Sequence, residues 1–350
     1  MDVELLRFRS AVFRAVRSFF DERGYLEVDT PLLSTDLIPE SCLEVFETEL
    51  LPPRGSKKQA KSLYLIPSPE IWMKKLIAGL WGRRDLSAKT PAGIYQICRC
   101  FRNGESSGRA HSPEFSMLEY YSLGADCAAS LTVTEELFAR LLPLAAEGPG
   151  GEAGLRPPFE RITMADAFAR WAGFDLYRAA GIPGGLEAEA RRLGLEPAPG
   201  LDRGTLYDLI FVDRVEPSLP GDRPVVLGGY PAFVPCLAKK NPDGKTVERW
   251  ELYVRGIELA NCYTEETGPR AVREFFKNEK RAKEQSALVR HRVDDDYWKI
   301  FLPSGGPADR GPEESGFPPC SGVALGMDRL IMVLAGRSAI GGVLPFPIEL

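Results

Sequence analysis

The stretch that decides the fold is CFRNGESSGRAHSPEFSMLEYY, Cys100–Tyr121. Its polar loop carries Arg102, Arg109 and His111, and a strand-like run of alternating residues follows over 113–121. Two cations on a strand–loop–strand hairpin can meet several phosphate oxygens at once. Aromatic and carboxylate side chains on the returning strand can hold a base and a small cationic substrate. The stretch therefore indicates nucleotide chemistry.

The composition predicts an ordered, globular protein. The chain has 350 residues, of which 44% are hydrophobic and 10% aromatic, enough for one large domain or two ordinary ones. With 44 basic and 49 acidic residues the net charge is −5. Proteins that grip nucleic acids usually carry a basic surface, so this balance disfavours tRNA or DNA as the main partner.

The N-terminal segment and the cysteines indicate where the protein works. Residues 1–20 are too charged for a signal peptide or a membrane span, and their apolar side chains recur at helical spacing. The seven cysteines include no CxxC pair, which is typical of reduced thiols. Only two histidines are present, which disfavours a histidine-based metal site. We expect a cytoplasmic protein without a membrane-spanning segment.

Strand and helix periodicities do not alternate as they do in a parallel α/β sheet. Strands are predicted at 94–101 and 115–121, on either side of the polar loop, and at 250–255 and 257–263. Apolar spacing predicts helices at about 3–22, 69–80, 131–145, 163–172, 185–194, 202–216, 268–287 and 326–336. The pattern predicts an α+β fold, an antiparallel sheet flanked by helices. We expect residues 1–350 to form a single domain with a helical insertion at about 150–220.

Three further segments carry candidate chemistry, and each has a purely structural alternative. Ser68-Pro69-Glu70 opens a predicted helix, where a cap with a first-turn acid is the alternative. Period 2 on the strand at 256–265 places Leu259, Asn261, Tyr263 and Glu265 on one face and Glu258, Ala260, Cys262 and Thr264 on the other. The alternative there is an edge strand with its polar side in water. At 321–330 small residues lead into a helix, which close helix–sheet packing also explains.

Together these segments resemble the class II aminoacyl-tRNA synthetases. GYLEVDTPLLS at 24–34 resembles motif 1, the stretch at 101–121 resembles motif 2, and GVALGMDRL at 322–330 resembles motif 3. SPE at 68–70 and IELANCYTE at 257–265 are similar to the lysine branch. The resemblance covers about residues 3–336. It implies a class II synthetase catalytic domain that activates an amino acid with ATP and Mg²⁺.

The resemblance is to a catalytic domain alone. Lysyl-tRNA synthetases carry an N-terminal anticodon-binding barrel, and here the motif 1 helix starts at the first residues. The chain therefore resembles the truncated synthetase paralogues that attach (R)-β-lysine to a lysine side chain of elongation factor P. This implies β-lysine or lysine as substrate, elongation factor P as acceptor, a homodimer and no tRNA. Two other hypotheses stay open, a free-standing enzyme that charges tRNA or another small acceptor and a non-catalytic regulator.

The resemblance also implies roles at the nucleotide. Arg102 contacts the α-phosphate and the substrate carboxylate, Arg329 neutralises the far phosphates, and Arg109 and His111 approach the β- and γ-phosphates. Further contacts are implied for a set that comprises Phe115 under adenine, Glu258 on Mg²⁺, and Asn103, Ser112, Leu259 and Gly326 around ATP. The motif 2 loop is one residue longer than the family pattern, so Glu105 is the expected adenine-reading acid and Gly104 the alternative alignment.

At the amino acid, the resemblance implies that Ser68, Pro69 and Glu70 face the amino end. A buried ammonium needs a carboxylate, and the candidates are Glu265 and Glu119, with the Tyr121 hydroxyl beside them and Asn261 on the substrate carboxylate. Ala324 matches the paralogues, whereas synthetases prefer glycine, and Cys262-Tyr263-Thr264 resembles the synthetases more. The preferred lysine isomer therefore stays open.

Overall fold

The computed structural model describes residues 3–81, 91–104, 108–147, 154–303 and 315–348. Its strands are β1 (Tyr25–Glu27), β2 (Leu33–Ser34), β3 (Glu47–Leu50), β4 (Lys61–Leu65), β5 (Gly93–Phe101), β6 (Glu114–Leu123), β7 (Glu160–Thr163), β8 (Val225–Gly228), β9 (Arg249–Val254), β10 (Ile257–Thr264) and β11 (Cys320–Gly326). Its helices are α1 (Val3–Glu22), α2 (Glu70–Trp81), α3 (Cys127–Glu147), α4 (Met164–Ala167), α5 (Leu176–Ala180), α6 (Gly185–Arg192), α7 (Arg203–Ile210), α8 (Pro269–Ser286) and α9 (Met327–Leu334).

Within the described ranges, one sheet has the order β1-β5-β6-β11-β10-β9-β8-β7 and a smaller one the order β2-β4-β3. The predicted α+β fold, an antiparallel sheet flanked by helices, is confirmed. Most neighbouring strands of the large sheet are antiparallel, and the pairs at its two edges, β1–β5 and β7–β8, are parallel. Both edge strands are reached by long stretches of intervening chain, and such crossovers permit parallel pairing.

The motif 2 hairpin forms the second and third strands of this sheet, beside the edge strand β1. β5 and β6 pair from Gly93 opposite Ser122 to Phe101 opposite Glu114. The backbone N–H of Arg102 then donates to the Pro113 carbonyl at 3.0 Å and closes the hairpin. Arg102 therefore leaves the sheet at a fixed point, as the alternation of the sequence predicts.

β11 is a strand that the sequence did not predict. Its small residues have low strand propensity, but pairing on both sides with β6 and β10 holds it in the sheet. Gly322 permits close packing there, because a Cβ would lie 2.6 Å from Glu265 Oε1 and 2.7 Å from Tyr121 Cε1. The small residues of motif 3 thus make room for a carboxylate and an aromatic ring.

A β-bulge corrects the predicted faces of β10. The turn before it has positive φ at Arg255 (55°) and Gly256 (69°), as a tight hairpin turn requires. The pairing with β9 then shifts between Glu258 and Ala260. The prediction that Glu258 and Ala260 share a face is therefore wrong. Glu258 instead lines the same cavity as Asn261. Bulges commonly re-aim side chains in this way.

Helices α4 to α7 pack in a second apolar cluster against β8 and β9. In this region Phe168 and Tyr207 stack with ring centroids 5.4 Å apart. Two of the predicted helices continue here as π-helical turns, Phe168–Ala172 and Phe211–Val215. β7 lies within the predicted insertion range but belongs to the large sheet. The sequence did not predict this strand, because a four-residue edge strand gives little sequence signal.

No helix in the described ranges is long and apolar enough to cross a membrane.

Candidate active site

A cavity of about 1010 Å³ opens where the motif 2 hairpin, β10 and the start of α9 meet. Its lining includes residues that the sequence predicted for ATP or substrate, namely Glu70, Arg102, His111, Ser112, Phe115, Glu258, Leu259, Asn261, Ala324, Gly326 and Arg329. Arg102 and Arg329 thus share one cavity although they come from distant parts of the chain.

The Arg102 guanidinium lies over the ring of Phe115, with its central carbon 5.3 Å from the ring centroid. Phe115 follows the start of β6, opposite Cys100 on β5. Cation and ring are therefore fixed side by side by one hairpin. Such a pair can meet a phosphate and a base of one ligand.

Arg329 joins the two sides of the cavity. Its Nε donates to the carbonyl of Ala110 at 3.0 Å, and one terminal nitrogen donates to the carbonyl of Glu258 at 2.8 Å. The same nitrogen lies 3.5 Å from the Glu258 carboxylate. Because the first contact belongs to the motif 2 loop and the others to β10, the guanidinium is held over the cavity.

A buried cluster of acids extends from one end of the cavity. Glu119 accepts hydrogen bonds from the Ser68 hydroxyl at 2.6 Å and the Tyr121 hydroxyl at 2.9 Å. The backbone N–H of Glu70 donates to Ser68 Oγ at 3.0 Å. Burial raises the pKa of Glu119 to about 7, with a further rise from the Glu70 charge, and the two hydroxyl hydrogen bonds oppose the rise.

Lys74, which the sequence analysis missed, lies in the same cluster. Its Nζ is 2.5 Å from Glu70 Oε1 and 2.5 Å from Glu265 Oε2. Burial alone would lower the pKa of Lys74, but the carboxylates of Glu265 and Glu70 raise it well above its usual value. Burial raises the pKa of Glu265, and Lys74 opposes that rise. The i,i+4 spacing from Glu70 on a predicted helix was the available signal.

A second missed group is the pair Arg249 and Glu251 on β9. Glu251 accepts from the hydroxyls of Tyr230 and Tyr253 at 2.6 and 2.9 Å and from Arg249 at 2.6 Å. Arg249 Nε also donates to Asn261 Oδ1 at 3.2 Å, so this network holds the amide side chain. The alternating charges of the sequence RWE next to a predicted strand were the available signal.

Glu251 and Glu258 place two carboxylates on one cavity. Burial raises the pKa of Glu258, as does the Glu251 charge, whereas Arg329 and Arg102 lower it. Carboxylate oxygens suit Mg²⁺, which commonly takes one or two of them together with substrate phosphates. Across the described ranges no group of three or more His, Cys, Asp or Glu side chains could hold a metal by itself. The donor set therefore fits a magnesium ion that shares its shell with phosphates.

The comparisons with known proteins agree with this geometry. The family model "tRNA synthetases class II (D, K and N)" matches residues 3–350. The chain belongs to the class II tRNA synthetases. One relative, the elongation factor P–(R)-β-lysine ligase of Avibacterium paragallinarum, is 34% identical in an alignment that covers 99% of this chain and 96% of the length of the relative. Ligases with the same name from Klebsiella pneumoniae (strain 342) and Pasteurella multocida (strain Pm70) are 34% and 32% identical, over 97% and 99% of this chain and 94% and 96% of their own lengths.

Several residues predicted for the class II site do not line the cavity, namely Ser68, Pro69, Asn103, Arg109, Glu119, Tyr121 and Glu265. Most of these belong to the buried acidic cluster or border it. Arg109 is exposed, and its carbonyl accepts from the N–H of Ile340 at 2.7 Å. The N–H of Asn103 donates to the carbonyl of Glu44 at 3.0 Å, which ties motif 2 to the segment after motif 1. Glu105 lies outside the described residues, as does most of the predicted loop at 303–319.

Proposed function

We propose that this protein is a ligase that activates (R)-β-lysine or lysine with ATP and transfers it to a lysine side chain of elongation factor P. The observation that carries the proposal is that Arg102 and Arg329 line one cavity, at the edge of an acidic cluster suited to an amine. Membership of the class II family implies the use of ATP, and the names of the relatives supply β-lysine and elongation factor P.

The first step is the formation of a mixed anhydride. An oxygen of the substrate carboxylate attacks the α-phosphorus of ATP, the bond to the bridging oxygen breaks, and pyrophosphate leaves. The carboxylate is already an anion, so no general base is needed and catalysis is alignment and charge neutralisation. Arg102 neutralises the α-phosphate and Arg329 the far phosphates. In the second step the neutral acceptor amine attacks the acyl carbon, the bond to the AMP oxygen breaks, AMP leaves, and the amine releases a proton to solvent.

The other nucleotide contacts are proposed on the same basis. Phe115 stacks under adenine. Gly326 lets ATP lie close to the backbone, because it has no side chain to occupy the space beside Arg329, whose nearest atom would lie 3.6 Å from a Cβ at this position. The remaining proposed contacts are Asn103, Glu105, Arg109, His111, Ser112 and Leu259. Mg²⁺ supplies charge neutralisation at the phosphates when bound, and Glu258 with Glu251 would hold it.

At the amine end, Glu70 faces the cavity, with Ser68, Pro69, Glu119, Tyr121 and Glu265 behind it. Asn261 holds the substrate carboxylate.

The test of the proposal is amino-acid-dependent ATP–pyrophosphate exchange, assayed with α-lysine and (R)-β-lysine side by side, followed by addition of elongation factor P as acceptor. We expect exchange and a mass increase on one lysine of that factor. Exchange with neither amino acid would refute the proposal, and lysylation of bulk tRNA would favour the tRNA-charging alternative.

Ala324 is the proposed selector of the lysine isomer. It lines the cavity and pairs with Glu119 on β6 and with Asn261 on β10, so its methyl group lies between the two proposed substrate contacts. We expect Ala324→Gly to lower the ratio of kcat/KM for (R)-β-lysine over α-lysine by about tenfold or more, the usual range for one methyl group in a pocket. Ala260→Gly, a buried methyl on β10 that does not line the cavity, is the matched control and should leave the ratio unchanged. Equal ratios in both variants would contradict this role.

We also propose a cytoplasmic homodimer built through motif 1, in which residues 1–350 act as one catalytic domain with a helical insertion. Leu26, Leu32 and Leu33 are 47%, 37% and 43% exposed, an apolar surface that a second copy would cover. We expect sedimentation of the unaltered protein at twice the chain mass, and of Leu33→Asp at the single mass, because the partner would have to bury a charge. Sedimentation of the unaltered, active enzyme as a monomer would refute the dimer.

A further inference from the structure

Lys74 is buried at a position where stability alone does not explain a lysine. Its side chain and that of Glu265 are each 1% exposed. Removing two charges from water is costly, and well-packed apolar side chains of similar size often do as well in such places. Lys74 also lies directly behind Glu70, which lines the cavity, whereas Lys74 and Glu265 do not. A role in the chemistry of the cavity therefore accounts for the ion pairs better than a role in folding.

The titratable groups around Lys74 come from several elements of the fold. They are Glu70 on the same helix α2, Glu265 and Tyr263 at the end of β10, Glu119 on β6, Cys320 on β11, and Tyr297 on the 3₁₀ turn Tyr297–Phe301. Only the carboxylates among them are ordinarily charged at neutral pH. One cation therefore faces three carboxylates.

We infer that Lys74 is a positioning residue for the amine end of the substrate, an inference that rests on the proposed function. Its ammonium binds Glu70 and Glu265 at once, fixes the Glu70 side chain at the cavity wall and favours the ionised forms of Glu119 and Glu265. Acids held this close without a cation would share protons, and a protonated acid does not attract an ammonium. Lys74 acts through Glu70 and does not itself touch the substrate.

The sign of the pH effect follows from this charge balance. Lys74 lowers the pKa of Glu119 and of Glu265, against the rise that burial causes. Without Lys74 both pKa values move up, so the carboxylates ionise only at a higher pH. The amines of lysine keep their protons over most of this range. Loss of Lys74 should therefore weaken amine binding most at pH 6–7, and the loss should shrink as the pH rises toward 9.

The experiment compares Lys74→Met with Lys75→Met in ATP–pyrophosphate exchange from pH 6 to 9. Lys75 is the next residue, 32% exposed, and forms an ion pair with Asp294 at 2.9 Å, so it is a matched lysine on the same helix. For Lys74→Met we expect KM for the amino acid to rise roughly tenfold or more at pH 7, as for a lost charged contact, while KM for ATP changes less than twofold. The acid limb of the KM profile should move up by about one pH unit. Lys75→Met should match the unaltered enzyme, and Lys74→Arg should restore part of the binding.

Other results would overturn the inference. Equal KM profiles for Lys74→Met and the unaltered enzyme, or equal rises of KM for ATP and for the amino acid, would contradict it and leave the proposed function standing. If Lys74→Met does not fold, Lys74→Arg decides, because the bulkier guanidinium should displace Glu70 and raise KM for the amino acid but not KM for ATP, and equal changes of the two KM values would contradict the inference. Absence of amino-acid-dependent exchange in the unaltered enzyme would refute the proposed function, and the inference with it.

Discussion

Replacing Arg102 by alanine is expected to reduce amino-acid-dependent ATP–pyrophosphate exchange by roughly 10²–10³-fold, the effect of losing one charge stabiliser in a preorganised site. Arg102 is fixed at the end of β5 by the hydrogen bond to Pro113 and lies against Phe115 in the cavity. In the proposed step it faces the phosphate on which negative charge builds up. The loss should fall mainly on kcat, because the contact is strongest in the transition state.

Arg99→Ala is the matched control for this variant. Arg99 lies on the same strand β5, where its side chain is 41% exposed and 3.5 Å from that of Glu114, which is 44% exposed. A pair this exposed contributes little, and Arg99 does not line the cavity. We expect its exchange rate to stay within about twofold of the unaltered enzyme, since most surface substitutions have small effects. Similar losses in both variants would indicate a general charge effect and would contradict the assigned role.

The parts of the structure that the sequence predicted well are those encoded locally or by a recognisable motif. The alternation of 113–121 and the apolar spacing of 3–22 correspond to β6 and α1. Arg102 and Arg329 line one cavity as the family resemblance implied, although periodicity alone gives no distance between them. Motif likeness carried that prediction, and the strand pairings of β6, β11 and β10 supply its physical basis.

The parts that the sequence did not predict depend on contacts between distant segments. β11 is a strand because of its two neighbours rather than its own propensity. The bulge at Glu258 breaks the period-2 rule on which the predicted faces relied. The contact of Lys74 with Glu265 joins α2 to the end of β10, and only its half toward Glu70 had a helical spacing that could be read in advance. The partner that a buried charge such as Lys74 meets therefore depends on which distant segments the topology brings together.

A buried ion pair that fixes motif 3 gives the second large effect. Arg9 on α1 lies 2.5 Å from Asp328 on α9, and their side chains are 11% and 1% exposed. The other oxygen of Asp328 accepts from the backbone N–H of Ser116 at 2.5 Å. Arg9→Met removes one partner and leaves the Asp328 charge buried, and we expect it to destabilise the protein by about 3–5 kcal/mol. The measurement is the urea concentration at the midpoint of unfolding.

Arg17→Met separates this effect from the loss of an arginine on the same helix. Arg17 pairs with Glu27 at 2.9 Å, but the two side chains are 42% and 41% exposed, and we expect a change of about 1 kcal/mol or less. Similar shifts of the midpoint in both variants would contradict the role given to Arg9. Arg9→Met should also raise KM for ATP more than KM for the amino acid. Asp328 adjoins Arg329, and its contact with Ser116 holds the strand that carries Phe115, so both proposed nucleotide contacts depend on that carboxylate, whereas the acidic cluster around Glu70 does not.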